Sequence, residues 1–270
     1  MITLTKLTST KRSNKHFSTK DGNTHTSRGA KITKGSACQL EVADLKEFNN
    51  VLKSLTNRQC ITLGVFPETQ CNLVMTADEK PSEGKYGRNK ANIKYPNSDR
   101  LCLLDIDEVR EGLEFRTARD VYDHLTDLDM TFEMLELLIV PSSSCGVRFN
   151  GELIKGYSWH VYMVVDGAVS ESHLKDWVVG LSFQNGDGRV KFTESGTYSA
   201  VSLFDEAVFS PERVIYAAKS THDENHTVDD LDEFYKPGVK VGYAEIEDIE
   251  YDDIKDNLID QEWVEKSLTG

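Results

Sequence analysis

The stretch Leu101-Cys102-Leu103-Leu104-Asp105-Ile106-Asp107-Glu108 constrains this chain more than any other. Four apolar residues lead directly into two carboxylates one residue apart. An apolar run of this length that ends in polar residues reads as a buried strand. Successive strand side chains point to opposite faces, so Asp105 and Asp107 leave the strand end on one face while Ile106 turns into the core. Like charges that close repel, and a buried carboxylate is costly unless something neutralises it. A hard divalent cation, Mg²⁺ or Mn²⁺, does so because it prefers oxygen ligands. The bland alternative is a strand end whose acids are solvated, and Asp-x-Asp alone does not decide between the two.

The 270 residues suffice for one large domain or two small ones. A hydrophobic content of 39% with 28% charged residues is ordinary for a soluble globular protein. No apolar run approaches the roughly 20 residues of a membrane helix, and MITLTKLTSTKR at the N-terminus lacks the apolar core of a signal peptide. The expectation is a cytoplasmic protein without a membrane partner. The five cysteines, Cys38, Cys60, Cys71, Cys102 and Cys145, are scattered and form no CxxC pair. This argues for a reducing compartment and against a cysteine zinc site. His222 and His226 have a ligand-like spacing but sit in the polar run THDENHT, which reads as a solvated loop.

The net charge of −14 is unevenly spread. Residues 1–36 carry eight Lys or Arg against Asp21, and residues 223–270 carry sixteen acids against four lysines. The acidity is concentrated in the tail, so net charge does not exclude a local basic groove.

In chain order, residues 1–36 read as a basic N-terminal arm, rich in Ser, Thr, Lys and Gly, with a short hairpin around residues 29–35. The arm either contacts phosphates or merely solubilises. Helical spacing of Leu45, Phe48, Val51, Leu52 and Leu55 predicts a helix over 42–55, and 61–66 reads as a strand. Residues 76–100 form a loop in which Lys80, Lys85, Arg88, Lys90, Lys94 and Arg100 alternate with Tyr86 and Tyr95. Such a loop suits nucleic acid or a nucleoside triphosphate, or is simply solvated. Thr117 caps a helix running to about Leu128. Residues 136–140 form a strand that ends in the turn Pro141-Ser142-Ser143-Ser144-Cys145-Gly146. That turn, Ser144 included, is either able to donate hydrogen bonds to phosphate oxygens or an ordinary Ser-rich turn.

Residues 156–165 form the second informative strand. Its period of two puts Ser158, His160 and Tyr162 on one face and Tyr157, Trp159, Val161 and Met163 on the other. A Ser-His-Asp hydrolase is unattractive, because the chain has no G-x-S-x-G elbow. A helix over 170–183 and strands over 189–192 and 201–204 follow, the last ending in Asp205. Residues 208–213 make a turn and 214–218 a further strand. Beyond 222 the chain is an acidic extension of helices or linker.

Three pieces, LLDID, YSWHVY and LFDEAVFSPERVIY, together resemble the archaeo-eukaryotic primase superfamily, in particular the primase-polymerases of phages and plasmids. That family carries hhhDxD, SxH and hhD motifs in this order. They are matched here by Asp105 and Asp107, by Ser158 and His160, and by Asp205. The segment Gly87-Arg88-Asn89-Lys90 resembles a basic signature of such proteins, and the SPER turn after Asp205 is similar too. The resemblance covers about residues 40–220. The chain departs from many relatives in having no cysteine cluster and no Walker GxxxxGK[ST].

The resemblance implies an α+β fold, a mixed α/β architecture with an RRM-like catalytic sheet (99–222) packed against an N-terminal αβ unit (37–98). It implies a DNA primase and DNA polymerase that transfers nucleotides from NTPs or dNTPs onto a template-directed primer in phage or plasmid DNA replication. Asp105, Asp107 and Asp205 would hold two Mg²⁺ or Mn²⁺ ions, one lowering the pKa of the primer 3′-OH and one bridging the triphosphate. His160 with Ser158 would hold the triphosphate, and Arg88 and Lys90 would contact nucleotide or template phosphates. The implied partners are single-stranded DNA template, nucleotides and a replicative helicase in cis or in trans. Two other classes stay open: a non-catalytic origin-binding replication initiator, and a DxD enzyme using a nucleotide sugar. The Ser-x-His strand and the third aspartate favour the primase reading over both. Three acids compete with Asp205 for the third carboxylate. Glu108 and Glu206 point away from their aspartate neighbours, and Asp120 falls in the first turn of a helix, where it complements the dipole.

Overall fold

The computed structural model describes residues 1–27, 32, 34–74, 82–107, 112–192 and 198–246, with backbone alone over 190–192 and 198–200. The first strands are β1 (Ile2–Ser9), β2 (His16–Lys20), β3 (Asn23–Ser27) and β4 (Gly35–Val42), followed by helix α1 (Leu45–Ser54). Then come β5 (Gln59–Thr62), β6 (Gln70–Leu73), β7 (Lys85–Tyr86) and β8 (Arg100–Ile106). Helix α2 (Ala118–Leu128) leads to β9 (Leu137–Pro141), β10 (Val147–Phe149), β11 (Glu152–Leu153) and β12 (Trp159–Val165). Helix α3 (Glu171–Gln184) precedes β13 (Arg189–Phe192), β14 (Tyr198–Val201), β15 (Thr221–His222), β16 (His226–Val228) and β17 (Phe234–Lys236). The class is α+β, as expected.

Residues 2–9 correct the reading of 1–36 as an arm. They form β1, an interior strand of a five-stranded sheet ordered β5-β1-β4-β6-β7. β1 runs antiparallel to β4 from Ile2 opposite Val42 to Ser9 opposite Gly35. Ile2, Leu4 and Leu7 are buried, and the Thr residues between them are β-branched side chains that suit a pleated, half-buried surface. The expected hairpin at 29–35 lies largely outside the described residues. The described hairpin is β2–β3, closed by Asp21 and Gly22 at φ 52° and 77°, the left-handed geometry of a two-residue turn.

The second sheet has the order β17-β9-β12-β8, and every adjacent pair is antiparallel. β12 lies inside it with all seven residues buried. The helices are set by their caps. Asp44 caps α1, Ser170 caps α3, and Thr117 caps α2 in a box completed by Asp120. Phe48 of α1 meets Tyr162 of β12 edge-on at 4.9 Å, and Trp177 of α3 stacks on Phe132 at 5.4 Å. One apolar cluster runs from Ile2 and Leu4 through Phe48, Leu103 and Tyr162 to Trp177, so both sheets share a core. A smaller cluster, including Leu7, Cys60, Phe66, Leu73 and Val214, gathers elsewhere on the first sheet.

Several expected elements are shorter or different. β5 ends at Thr62 rather than at 66. β14 ends at Val201, and Asp205 instead caps a 3₁₀ turn, Glu206–Phe209, by accepting a hydrogen bond from the Ala207 N–H. The expected strand over 214–218 is a single bridge between Ile61 and Ile215. The region after 222, expected as helices or linker, contributes short strands and one 3₁₀ turn among the described residues. β17 extends the second sheet, since Phe234 and Tyr235 pack against the main core. No helix among the described residues is long and apolar enough to cross a membrane.

Candidate functional site

β8 and β12 pair so that His160 stands directly opposite Asp105. The alternation that sends Leu104 and Ile106 inward turns Asp105 outward beside it, and His160 Nε2 lies 3.5 Å from Asp105 Oδ1. β8 is the last strand of its sheet among the described residues, so one edge has no strand partner among them. There the Asp205 N–H donates to the Asp105 carbonyl at 2.9 Å. This bond draws the third aspartate beside the first across a hundred residues of chain. Asp107 follows one residue past β8, and all three aspartates line one cleft of about 770 Å³.

Burial pushes the Asp105 carboxyl above the usual range, His160 draws it back, Asp107 and Asp205 push it up further, and Lys15 opposes them. Burial also holds the His160 imidazole below its ordinary value, against the pull of Asp105. For this pair desolvation outweighs mutual attraction, which fits side chains only 22% and 9% exposed. The other two carboxylates have cationic neighbours. Lys155 Nζ lies 3.7 Å from Asp107, and an Arg213 nitrogen lies 3.4 Å from Asp205 Oδ2.

The remaining expected residues are divided. Arg88 lines the cleft and donates to the carbonyls of Ile32 and Glu212 at 3.3 and 2.9 Å. Lys90 is exposed and does not line the cleft; its charge acts on Glu171. The Ser158 hydroxyl is buried at 2.5 Å from that of Ser142, and its N–H donates to Cys145 Sγ at 3.3 Å. Ser142 and Ser143, rather than Ser158, reach the cleft wall. Ser144 is buried and accepts a hydrogen bond from Lys15 Nζ at 2.8 Å. Of the competing acids, Asp120 accepts the Thr117 and Arg116 N–H groups at 2.9 Å and Glu206 pairs with Lys175 at 2.7 Å. Glu108 lies outside the described residues.

Lys15 and Lys155 are cleft residues that the sequence did not single out. Lys15 sits in a polar stretch with no motif. Lys155 follows the hairpin β10–β11, whose Asn150-Gly151 turn was the only local signal. Arg213 belongs to the SPER turn, so its position was marked although no role was.

Among the described residues, no group of three or more His, Cys, Asp or Glu side chains is gathered closely enough to hold a metal ion. The donor set, three carboxylates around one cleft, nevertheless fits a hard divalent cation in chemistry. In the structure Lys155 and Arg213 stand beside Asp107 and Asp205 as counter-charges. No family model, no curated protein and no solved structure matches the chain.

Proposed function

We propose that this cleft is a nucleotidyl-transfer centre and that the chain is a primase-polymerase of the archaeo-eukaryotic primase kind. The observation that carries the reading is convergence: Asp105, His160 and Asp205, from three segments far apart in sequence, meet on one cleft that four Lys or Arg side chains also line. Asp105, Asp107 and Asp205 are the residues that would hold Mg²⁺ or Mn²⁺, which would supply a lowered pKa for the attacking hydroxyl and neutralised charge at the reacting phosphate. Lys15, Arg88, Lys155 and Arg213 give the polyphosphate its counter-charge. His160, kept neutral by burial, offers a hydrogen bond to a phosphate oxygen without adding charge to the crowded carboxylates. The template is single-stranded DNA, the nucleotides are NTPs or dNTPs, and the setting is cytoplasmic replication of phage or plasmid DNA with a helicase in cis or in trans.

The test is primer extension with labelled nucleotides and Mg²⁺ or Mn²⁺. Asp105→Ala, Asp107→Ala and Asp205→Ala should each lower incorporation by at least ~10³-fold, as expected on losing charge stabilisation at a reacting phosphate. Near-normal extension by the Asp105→Ala/Asp107→Ala double variant overturns the proposal. Salt-sensitive DNA binding by a wild-type chain that incorporates nothing supports the initiator reading instead.

A further inference from the structure

The cleft has a mixed lining. Beside the carboxylates and the four cations it is lined by the apolar side chains Leu103, Val208, Val214 and Ile215 and by Tyr216.

The segment 211–216, which supplies Arg213, Val214, Ile215 and Tyr216 to this lining, is fixed from several directions. The Pro211 carbonyl accepts from the Gly64 N–H at 3.0 Å and from the Thr62 hydroxyl. Ile215 exchanges both backbone hydrogen bonds with Ile61, at 2.9 and 3.2 Å. Arg88 holds the Glu212 carbonyl at 2.9 Å. Val214 and Ile215 are buried, one in the smaller cluster and one in the main core. Tyr216 is only half-buried: it packs on the smaller cluster and also lines the cleft. Tyr216 shares the cleft lining with Arg88 and Arg213, and burial pushes its phenol above the ordinary value while both arginines oppose that shift.

A rigidly backed aromatic ring at the border of a cationic groove is the arrangement that takes a flat base on one side and phosphates on the other. A ligand complementary to both the cations and the ring has a polyanionic end and a planar, weakly polar end. We infer that Tyr216 is the platform on which the nucleobase of the incoming nucleotide stacks, with the triphosphate running toward Lys15 and Lys155. This assignment rests on the nucleotidyl-transfer reading. It gives a binding role to an aromatic side chain of a segment from which the phosphate chemistry takes only Arg213.

The experiment compares two ligands by isothermal titration in Mg²⁺ buffer: a nucleoside triphosphate and inorganic tripolyphosphate, which has no base. Tyr216→Leu keeps the smaller cluster covered but removes the ring, and Tyr216→Phe keeps the ring. Expected are a wild type that prefers the nucleoside triphosphate, and a Tyr216→Leu variant that binds it about tenfold or more weaker, the loss of one stacked base. Its tripolyphosphate affinity should be unchanged, and Tyr216→Phe should stay within about twofold of wild type for both ligands. Wild-type affinity for the nucleoside triphosphate in Tyr216→Leu overturns the platform and leaves the ring a packing residue. Equal loss of both ligands overturns it as well, since a base platform has no hold on tripolyphosphate. A wild type that binds neither ligand instead overturns the nucleotidyl-transfer reading, and the platform falls with it.

Discussion

Gly64→Ala tests how tightly the apolar lining of the cleft is pinned. A Cβ at residue 64 would lie 2.5 Å from Ile93 Cγ2, 2.7 Å from the Pro211 carbonyl oxygen and 2.8 Å from Pro211 Cβ. Contacts of this kind settle near 3.5 Å, so the neighbours must retreat by roughly 0.7–1 Å. They have little room to do so. Ile93 is fully buried, and the Pro211 carbonyl is held by Gly64 and Thr62 together. The cost is that of overpacking, about 1–3 kcal/mol, partly offset by the ~0.4–1 kcal/mol that alanine gains by restricting the unfolded chain. A net loss of about 1–2 kcal/mol corresponds to a fall in Tm of roughly 2–8 °C for a protein of this size. Thermal melts and denaturant titrations with an unchanged m-value should show it. Displacing Pro211 also displaces Arg213 and Tyr216, so turnover should fall even where the variant is fully folded, by up to roughly 10²-fold for a shift on the order of 1 Å. A variant as stable and as active as wild type refutes the reasoning: residue 64 would then not be wedged against Pro211, and the rigid backing inferred for Tyr216 would go with it.

Asp105→Asn should stabilise the fold at neutral pH while eliminating incorporation. The carboxyl is held above its ordinary range, so the folded state binds its proton more tightly than the unfolded state does, and this group's contribution to stability falls as pH rises between the two values. A Tm at pH 7 below that of wild type, or a difference that does not shrink on acidification, contradicts the assignment. Asp223→Ala should release the β2–β3 hairpin alone. Buried His226 bonds Asp223 through Nδ1 at 2.6 Å and Thr24 through Nε2 at 3.1 Å, and Asp223 also accepts the Thr19 N–H. Amide exchange should speed up over 16–27 but not over 100–106 or 159–165; a uniform increase would show that the hairpin is not a separable unit. His226 holds the Asp223 carboxyl well below the carboxylate range, so its contribution, present at neutral pH, is lost as pH falls through that lowered value.

The site was legible where strand alternation spoke for itself. Leu101 to Asp107 and Ser158 to Val165 have one strand reading each, and their pairing brings Asp105 and His160 face to face. The Thr117 cap was legible because a hydroxyl three residues before an acid is a local signal. Asp205 was legible as a residue but not in its manner of arrival. It reaches Asp105 from a 3₁₀ turn through a backbone bond, and no side-chain pattern records such a bond. β1 was hidden because Thr, Ser and Lys alternate with its apolar residues, and composition outweighed period. The dipeptides Asp21-Gly22 and Asn150-Gly151 did carry hairpin signals, and both close two-residue turns. Lys15 and Lys155 were illegible for a different reason: a single lysine reaches the cleft only because the tertiary fold brings it there.

The interior place of β1 in its sheet has a bearing on how the chain is made. Its neighbours, β4 and β5, are synthesised later, so β1 has unsatisfied backbone on one side until residue 42 has followed it and on the other until residue 62 has. The cleft then waits for residues 205–216, which come from the last third of the sequence. Long-range pairing of this kind closes large loops before it gains contacts, which slows folding and leaves strand edges uncovered in the interval. Nascent chains stalled between residues 42 and 59 should therefore present β1 as an open edge, and chains stalled before residue 205 should present β8 as one, susceptible to holdase binding or to aggregation and without the assembled cleft.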